Sequence, residues 1–346
     1  MRSSNIARPI VAMAPIAVSL GDPAGIGPEI TGKSWAKRRD HNLHPFFAVG
    51  DPGSLSAVWD GPVERIGSPD EAEAVFDRAL PIFPVESGEQ TKPGFPTAEG
   101  ARCALDSLEL AVGLARSGAV QAVVTGPVSK NRLYDIGFSH AGQTEFVAER
   151  CGVSRDNAAM MLAGPTLKVV PITTHIPLRD VPDIVSVELI VTKARAAARG
   201  MTRNFGIDNP RLAFAGLNPH AGEFGALGRE EIDFLEPAIA LLRDEGIDAS
   251  GPFAADTMFH ESARAKYDVA LCLYHDQALI PLKTLHFDEG VNLTLGLPIV
   301  RTSPDHGTAF EIAGADKANP GATIAAIGLA AFCAEQRLLR EGSVAA

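Results

Sequence analysis

The feature that most constrains this chain is an alternation of short apolar β-type runs with longer stretches of helical periodicity. IAVSL (16–20) runs into GDPAGIGPE, where Pro28 suits the first turn of a helix. FFAVG (46–50) ends at a second Gly-Asp-Pro-Gly turn, and AVQAVVTG leads to Pro127. From Thr97, residues Leu105, Leu108 and Val112 recur at helical spacing until Gly118 stops the pattern. LKVVPITTH, RLAFAGLNPH and YDVALCLYH repeat one design, an apolar run ending in a polar cluster with a histidine. Helical patterns at 187–199 and 230–243 lie between them, and 321–339 reads as a closing helix packed on its apolar face. This order predicts an α/β fold with mostly parallel sheets and flanking helices. The segment 86–98, rich in Gly, Pro and Thr, is the expected exposed loop.

At 346 residues the chain exceeds what one hydrophobic core comfortably serves, so two lobes are expected. The formal charge of -11 argues against nucleic acid as the main partner, yet leaves room for a small anion gripped by a few local cations. Cys103, Cys151, Cys272 and Cys333 are far apart and read as free thiols in a reducing compartment. Ala12-Met13-Ala14 resembles a leader cleavage site, but the apolar stretch before it is only Ile10-Val11. No uninterrupted apolar run reaches the ~18–20 residues of a membrane span. The expectation is a cytoplasmic protein without a leader or a membrane segment.

His175, His220 and His275 each follow an apolar run. In open α/β sheets, ligands bind beyond the carboxyl ends of the strands. If those strands are parallel neighbours, the imidazoles converge, and three of them suit zinc, cobalt or iron with a position left for substrate. A hydrogen-bonded loop histidine is the plainer alternative for each one alone. Asp256 and Asp276 are candidates to support the ligands from behind, or simply turn and cap residues. Lys283, Asn292 and Arg301 interrupt apolar segments, where Lys and Arg suit a phosphate or carboxylate and Asn orients a hydroxyl. The glycines of GDPAGIGPE offer a close approach to an anion before a helix, although GxGxxG is absent. PDHGTAFEIAG (304–314) combines a turn with a helix start. The residues alone point to an anion-binding, metal-assisted α/β enzyme; redox chemistry does not follow from their spacing.

Taken together, GDPAGIGPE, AVVTGPVSK, AGQTEF, ITTHIPL, GLNPHAGE, YHDQALIPLK and GVNLTLGLPIVRTSPDHGTAFEIAG resemble the 4-hydroxythreonine-4-phosphate dehydrogenase family over roughly residues 14–335. More distantly, the GIGPE and HGTA segments are similar to isocitrate and isopropylmalate dehydrogenases. The resemblance implies a metal on His175, His220 and His275, and substrate contacts at Gln143, Thr144, Lys283, Asn292 and Arg301. Asp256 and Asp276 match supporting aspartates. The family reads GHTE where this chain reads GQTE, so Gln143 cannot carry charge or titrate near neutral pH. The resemblance further implies a homodimer with its site at the subunit interface. It implies one α/β domain from 1–135 plus 300–346 and a second from 136–299. The cofactors expected are a divalent metal (zinc, magnesium or cobalt) and NAD or NADP, with His306, Gly307 and Thr308 as local nicotinamide contacts. The implied reaction oxidises 4-phosphooxy-L-threonine to a 3-oxo acid that decarboxylates to 3-amino-2-oxopropyl phosphate. Rival readings are a 4-phospho-threonate or 4-phospho-erythronate dehydrogenase, a metal-dependent hydrolase or aldolase, and a phosphometabolite binder.

Overall fold

The computed structural model describes residues 13–154 and 157–344, so the leader expectation for the first residues falls outside the described part. The first half contributes β1 (Ile16–Ser19), β2 (Phe46–Gly50), β3 (Val63–Arg65), β4 (Leu80–Pro84) and β5 (Ala122–Thr125). There follow β6 (Ala159–Ala163), β7 (Lys168–Pro171), β8 (Leu212–Ala215), β9 (Ala249–Phe253), β10 (Val269–Cys272), β11 (Val291–Leu295) and β12 (Arg301–Pro304). All twelve join one sheet in the order β3-β4-β2-β1-β5-β12-β11-β6-β7-β10-β8-β9. Pairing is parallel except in the middle, where β11 runs antiparallel to β12 and to β6, and β6 antiparallel to β7. The mostly parallel α/β fold expected from the alternation is the fold observed.

Local chemistry explains the elements. Every residue of β1, β5, β8 and β10 is buried, which is what helices on both faces of a parallel sheet demand, and why these strands read as unbroken apolar runs. Thr97 caps the helix Ala98–Arg116 by accepting from the Gly100 N–H, and Ser186 does the same for Val187–Phe205 at Leu189. The second of these helices outruns the predicted 187–199, because Met201 continues its buried stripe until Gly206 turns left-handed. One core joins β1, β2, β7, β8 and β10 to Val187–Phe205, and a second packs Ala98–Arg116 against the alternate residues of β1, β2 and β5.

One expectation, for the glycine turn, needs correction, and one, for the closing helix, is met. The glycines of GDPAGIGPE are used for contact between backbones: a side chain at Gly21 would sit 2.2 Å from the Pro127 carbonyl oxygen, and one at Gly25 would sit 3.0 Å from that of Thr308. Their open sides are therefore filled by the chain itself, not by an anion. The C-terminal helix Gly321–Val344 is, by length and composition, apolar enough to cross a membrane. It is instead a core element, with Ala326, Ile327, Ala330, Cys333 and Ala334 fully buried and Thr302 donating to the Ala326 carbonyl. The four cysteines are free, three of them buried.

Candidate active site

Strands β7, β10 and β8 are adjacent and parallel, and His175, His275 and His220 follow their respective carboxyl ends. His175 and His275 come together, with ring centroids 5.7 Å apart. Two imidazoles on one tetrahedral ion at ordinary Zn–N distances would have centroids about 5 Å apart, so this pair fits shared coordination. His275 Nδ1 lies 2.7 Å from Asp276 Oδ1, which leaves Nε2 for a cation, an arrangement that fixes tautomer and ring orientation in metal sites. His220 is exposed and stands in a different setting. Residues His220–Phe224 all have left-handed backbone angles, with φ between 46° and 78°. Buried Glu231 staples this loop, accepting from the Asn218 N–H at 2.8 Å and from Asn218 Nδ2 at 3.0 Å. His175 is left-handed too (φ 36°). Left-handed non-glycine backbone costs of order 1–3 kcal/mol per residue and clusters at functional sites. Among the described residues, no three His, Cys, Asp or Glu side chains lie together closely enough to hold a metal.

Beside the histidines lies a cavity of about 240 Å³. Its walls include Thr125 at the end of β5 with Gly126 and Lys130 after it, Gly142 to Glu145 at the start of the helix Gln143–Arg150, His175, and Ser303 on β12 with His306 and Gly307 after it. His175 also lines a second cavity of about 280 Å³ with Tyr274, His275 and Asp276, so the two spaces adjoin. The first turn of Gln143–Arg150 has no side-chain cap, and its N–H groups carry the positive end of the helix dipole.

Arg301, the first residue of β12, lies behind this cavity and is 3% exposed. Its guanidinium donates to Thr125 Oγ1 from Nε (3.1 Å) and Nη2 (2.7 Å), and from Nη1 to Thr144 Oγ1 (3.3 Å) and Thr294 Oγ1 (3.1 Å). No carboxylate forms an ion pair with it among the described residues. Burial pulls its pKa down to about 10, partly offset by the charge of Glu145, so it remains a cation at neutral pH. A buried cation neutralised only by hydroxyls costs several kcal/mol, and an anion in the adjoining cavity would offset that cost. Gln143 donates to the Gly126 carbonyl at 3.0 Å, which leaves its buried Oε1 without a donor. Asn292 Oδ1, on β11, and His306 Nε2 are likewise buried without partners.

The structure thus places Gln143, Thr144, His175, His306 and Gly307 on one cavity, with His275 and Asp276 next to it. The remaining expected residues sit further off. Lys283, two turns along the helix His275–Leu285, pairs with Asp305 at 2.7 Å and shares a shallow groove with His275 and Asp276. Thr308 is anchored through its carbonyl, which accepts from the Ile26 N–H. Asp256 is exposed on the turn Ala255–Thr257 and lines none of these spaces. Sequence reading missed Thr125, Lys130 and Lys193, which also line the cavity. The signal was available for Lys130, a lone cation following the glycine turn of AVVTGPVSK.

A family model described as pyridoxal phosphate biosynthetic protein PdxA matches residues 43–330. The chain belongs to the PdxA family. A 4-hydroxythreonine-4-phosphate dehydrogenase from Zymomonas mobilis is 56% identical over 94% of this chain and 97% of its own length. One from Erythrobacter litoralis is 52% identical over 93% and 97%. The crystal structure of a 4-hydroxythreonine-4-phosphate dehydrogenase from Klebsiella pneumoniae superposes with a TM-score of 0.84 at 37% identity, covering 93% of this chain and 99% of that one. Membership in the PdxA family makes the chain a dehydrogenase, an activity served by a nicotinamide cofactor, and ties it to pyridoxal phosphate biosynthesis. The turn carrying His306 and Gly307 opens on the same cavity as His175.

Proposed function

We propose that this chain oxidises 4-phosphooxy-L-threonine with NAD or NADP, giving a 3-oxo acid that loses carbon dioxide to yield 3-amino-2-oxopropyl phosphate. The observation that carries the substrate choice is the buried, carboxylate-free guanidinium of Arg301 behind a hydroxyl-lined cavity, a setting that favours an anionic group. Gln143, Thr144, Asn292, Arg301 and Lys283 grip and orient the substrate around it, and His306, Gly307 and Thr308 contribute to the nicotinamide site. His175, His220 and His275 hold a divalent cation (zinc, magnesium or cobalt), with Asp276 and Asp256 supporting them. When bound, that cation supplies Lewis-acid polarisation of the hydroxyl being oxidised. Lys283, which lies 2.7 Å from Asp305, is a candidate to take the departing proton.

The same reading includes a homodimer in the cytoplasm with its site completed across the subunit interface. Exposed apolar side chains near the histidines support it, namely Leu178, Phe224, Ile280 and Phe287. It also includes two lobes, 1–135 plus 300–346 and 136–299. The strand order supports this division, since β1–β5 and β12 lie on one side of the β12–β11 junction and β6–β11 on the other.

The test is nicotinamide absorbance with purified protein, 4-phosphooxy-L-threonine, each nicotinamide and several divalent metals. Substrate-dependent NADH or NADPH formation that disappears in His220→Ala, together with bound metal, is the expected result. Metal-depleted His220→Ala with undiminished turnover would overturn the metal assignment. A kcat/KM at least tenfold higher for 4-phospho-threonate would move the substrate to the acid lacking the amino group.

A further inference from the structure

Thr125 has a hydrogen-bonding pattern that leaves it one option. A threonine hydroxyl offers two lone pairs and one proton. Both lone pairs of Thr125 Oγ1 face Arg301, which donates to them from Nε and Nη2. The proton has no acceptor in the chain among the described residues. Thr125 closes β5 and lines the cavity of about 240 Å³. Thr144, on the same wall, accepts from Arg301 Nη1 and likewise has no acceptor for its own proton among the described residues. Arg301 stands behind these hydroxyls, with four of its five N–H groups held by Thr125, Thr144 and Thr294. Across the space, Lys130 forms no ion pair among the described residues. A Cβ at Gly142 would stand 3.3 Å from Glu145 Oε2 and 3.6 Å from Lys130 Nζ, so both charges flank the start of the helix at the cavity wall. The uncapped first turn of Gln143–Arg150 opens on the same space.

We propose that Thr125 is a direct ligand of the substrate's phosphoryl group, its hydroxyl oriented by Arg301. This rests on the phosphorylated-substrate reading given above. The guanidinium fixes the hydroxyls of Thr125 and Thr144 as outward donors, and with Lys130 and the helix turn they form a cradle for a tetrahedral dianion. A hydrogen bond from a neutral hydroxyl polarised by a buried cation behaves as a charge-assisted one toward phosphate.

Two sources of phosphate reach this cavity, the substrate and the nicotinamide, and kinetics separates them. Thr125→Val keeps shape and removes the donor. It is expected to raise KM for the phosphorylated substrate by about 10- to 100-fold, as loss of a hydrogen bond to a charged group does. The KM for nicotinamide should stay within about threefold, and Thr125→Ser should restore the wild-type value. Inorganic phosphate, read by calorimetry on the wild type and each variant, should weaken in step with the substrate KM. A shift carried by the nicotinamide KM, or phosphate binding to Thr125→Val that matches wild type, would overturn the proposal. If Thr125→Val melts below the assay temperature, Thr125→Cys takes its place: a weak donor there must weaken phosphate binding, and wild-type affinity would again overturn it. Should the wild type turn over no phosphorylated hydroxy acid, the functional reading falls. The phosphate arm then still decides the role of Thr125.

Discussion

The two sides of the site are built differently. Around Arg301, four hydrogen bonds to threonines of β5, β11 and the helix Gln143–Arg150 hold four of the five N–H donors before any ligand arrives. Around the histidines, one pair is together, while the third ring rides an exposed left-handed loop. The first side is preassembled by the sheet. The second is assembled from strand ends and strained turns, and depends on whatever binds it. On the proposed reading, the difference teaches that recognition of charge and activation of the hydroxyl rest on separate parts of the fold.

Arg301→Met sets function against stability most sharply. It should lower kcat/KM on the order of a hundredfold or more, with the loss visible as a weaker KM, because the cradle loses its charge. Thermal unfolding should show unchanged or higher stability, by about 1–4 kcal/mol, since the variant no longer buries a lone cation. A large drop in melting temperature would mean that the guanidinium is structural, and the comparison would break on its preassembled side.

Asp276→Asn addresses the other side with a smaller effect. Replacing the carboxylate that holds His275 Nδ1 should weaken metal retention by about 10- to 100-fold, measured by competition with a chelator. Phosphate affinity should not follow. Coupled losses of metal and phosphate would merge the two sides into one unit.

The smallest expected effect concerns pH. Thr125, Thr144 and Gln143 do not titrate near neutrality, so they add no pH dependence of their own to phosphate binding by the wild type. Gln143→His places a titratable ring beside the cavity. It should add a pH dependence to the ratio of variant to wild-type affinity, with the variant gaining a few-fold as the ring protonates below its ordinary pKa of about 6.5. A flat ratio between pH 5 and 8 would show that residue 143 does not face the anion.

Much of the scaffold was legible in the sequence because parallel strands buried on both faces are continuous apolar runs; β1, β2, β5, β7, β8 and β10 each read that way. The antiparallel middle was not. β11 and β12 carry Asn292, Thr294, Arg301 and Thr302, polar residues that pattern reading assigns to loops or pockets. Arg301 and Thr294 satisfy one another across the strands, and Thr302 donates to the Ala326 carbonyl. The order of β7, β10 and β8 bears out the premise that the histidine-bearing strands are parallel neighbours, without fixing where the rings point. Thr125 was invisible because a threonine ending a strand is ordinary β-branched packing. Its meaning comes from Arg301, 176 residues away in the chain. The left-handed run at His220–Phe224 was hidden for a similar reason, since only one of its five residues is glycine.

The separation of the two sides is tested most directly by titrating inorganic phosphate into wild-type protein before and after the metal is stripped, with Thr125→Val as reference. A preassembled cradle predicts a phosphate affinity that changes by no more than about threefold on metal removal and drops at least tenfold in Thr125→Val. Phosphate binding that vanishes with the metal and survives in the variant would contradict the account.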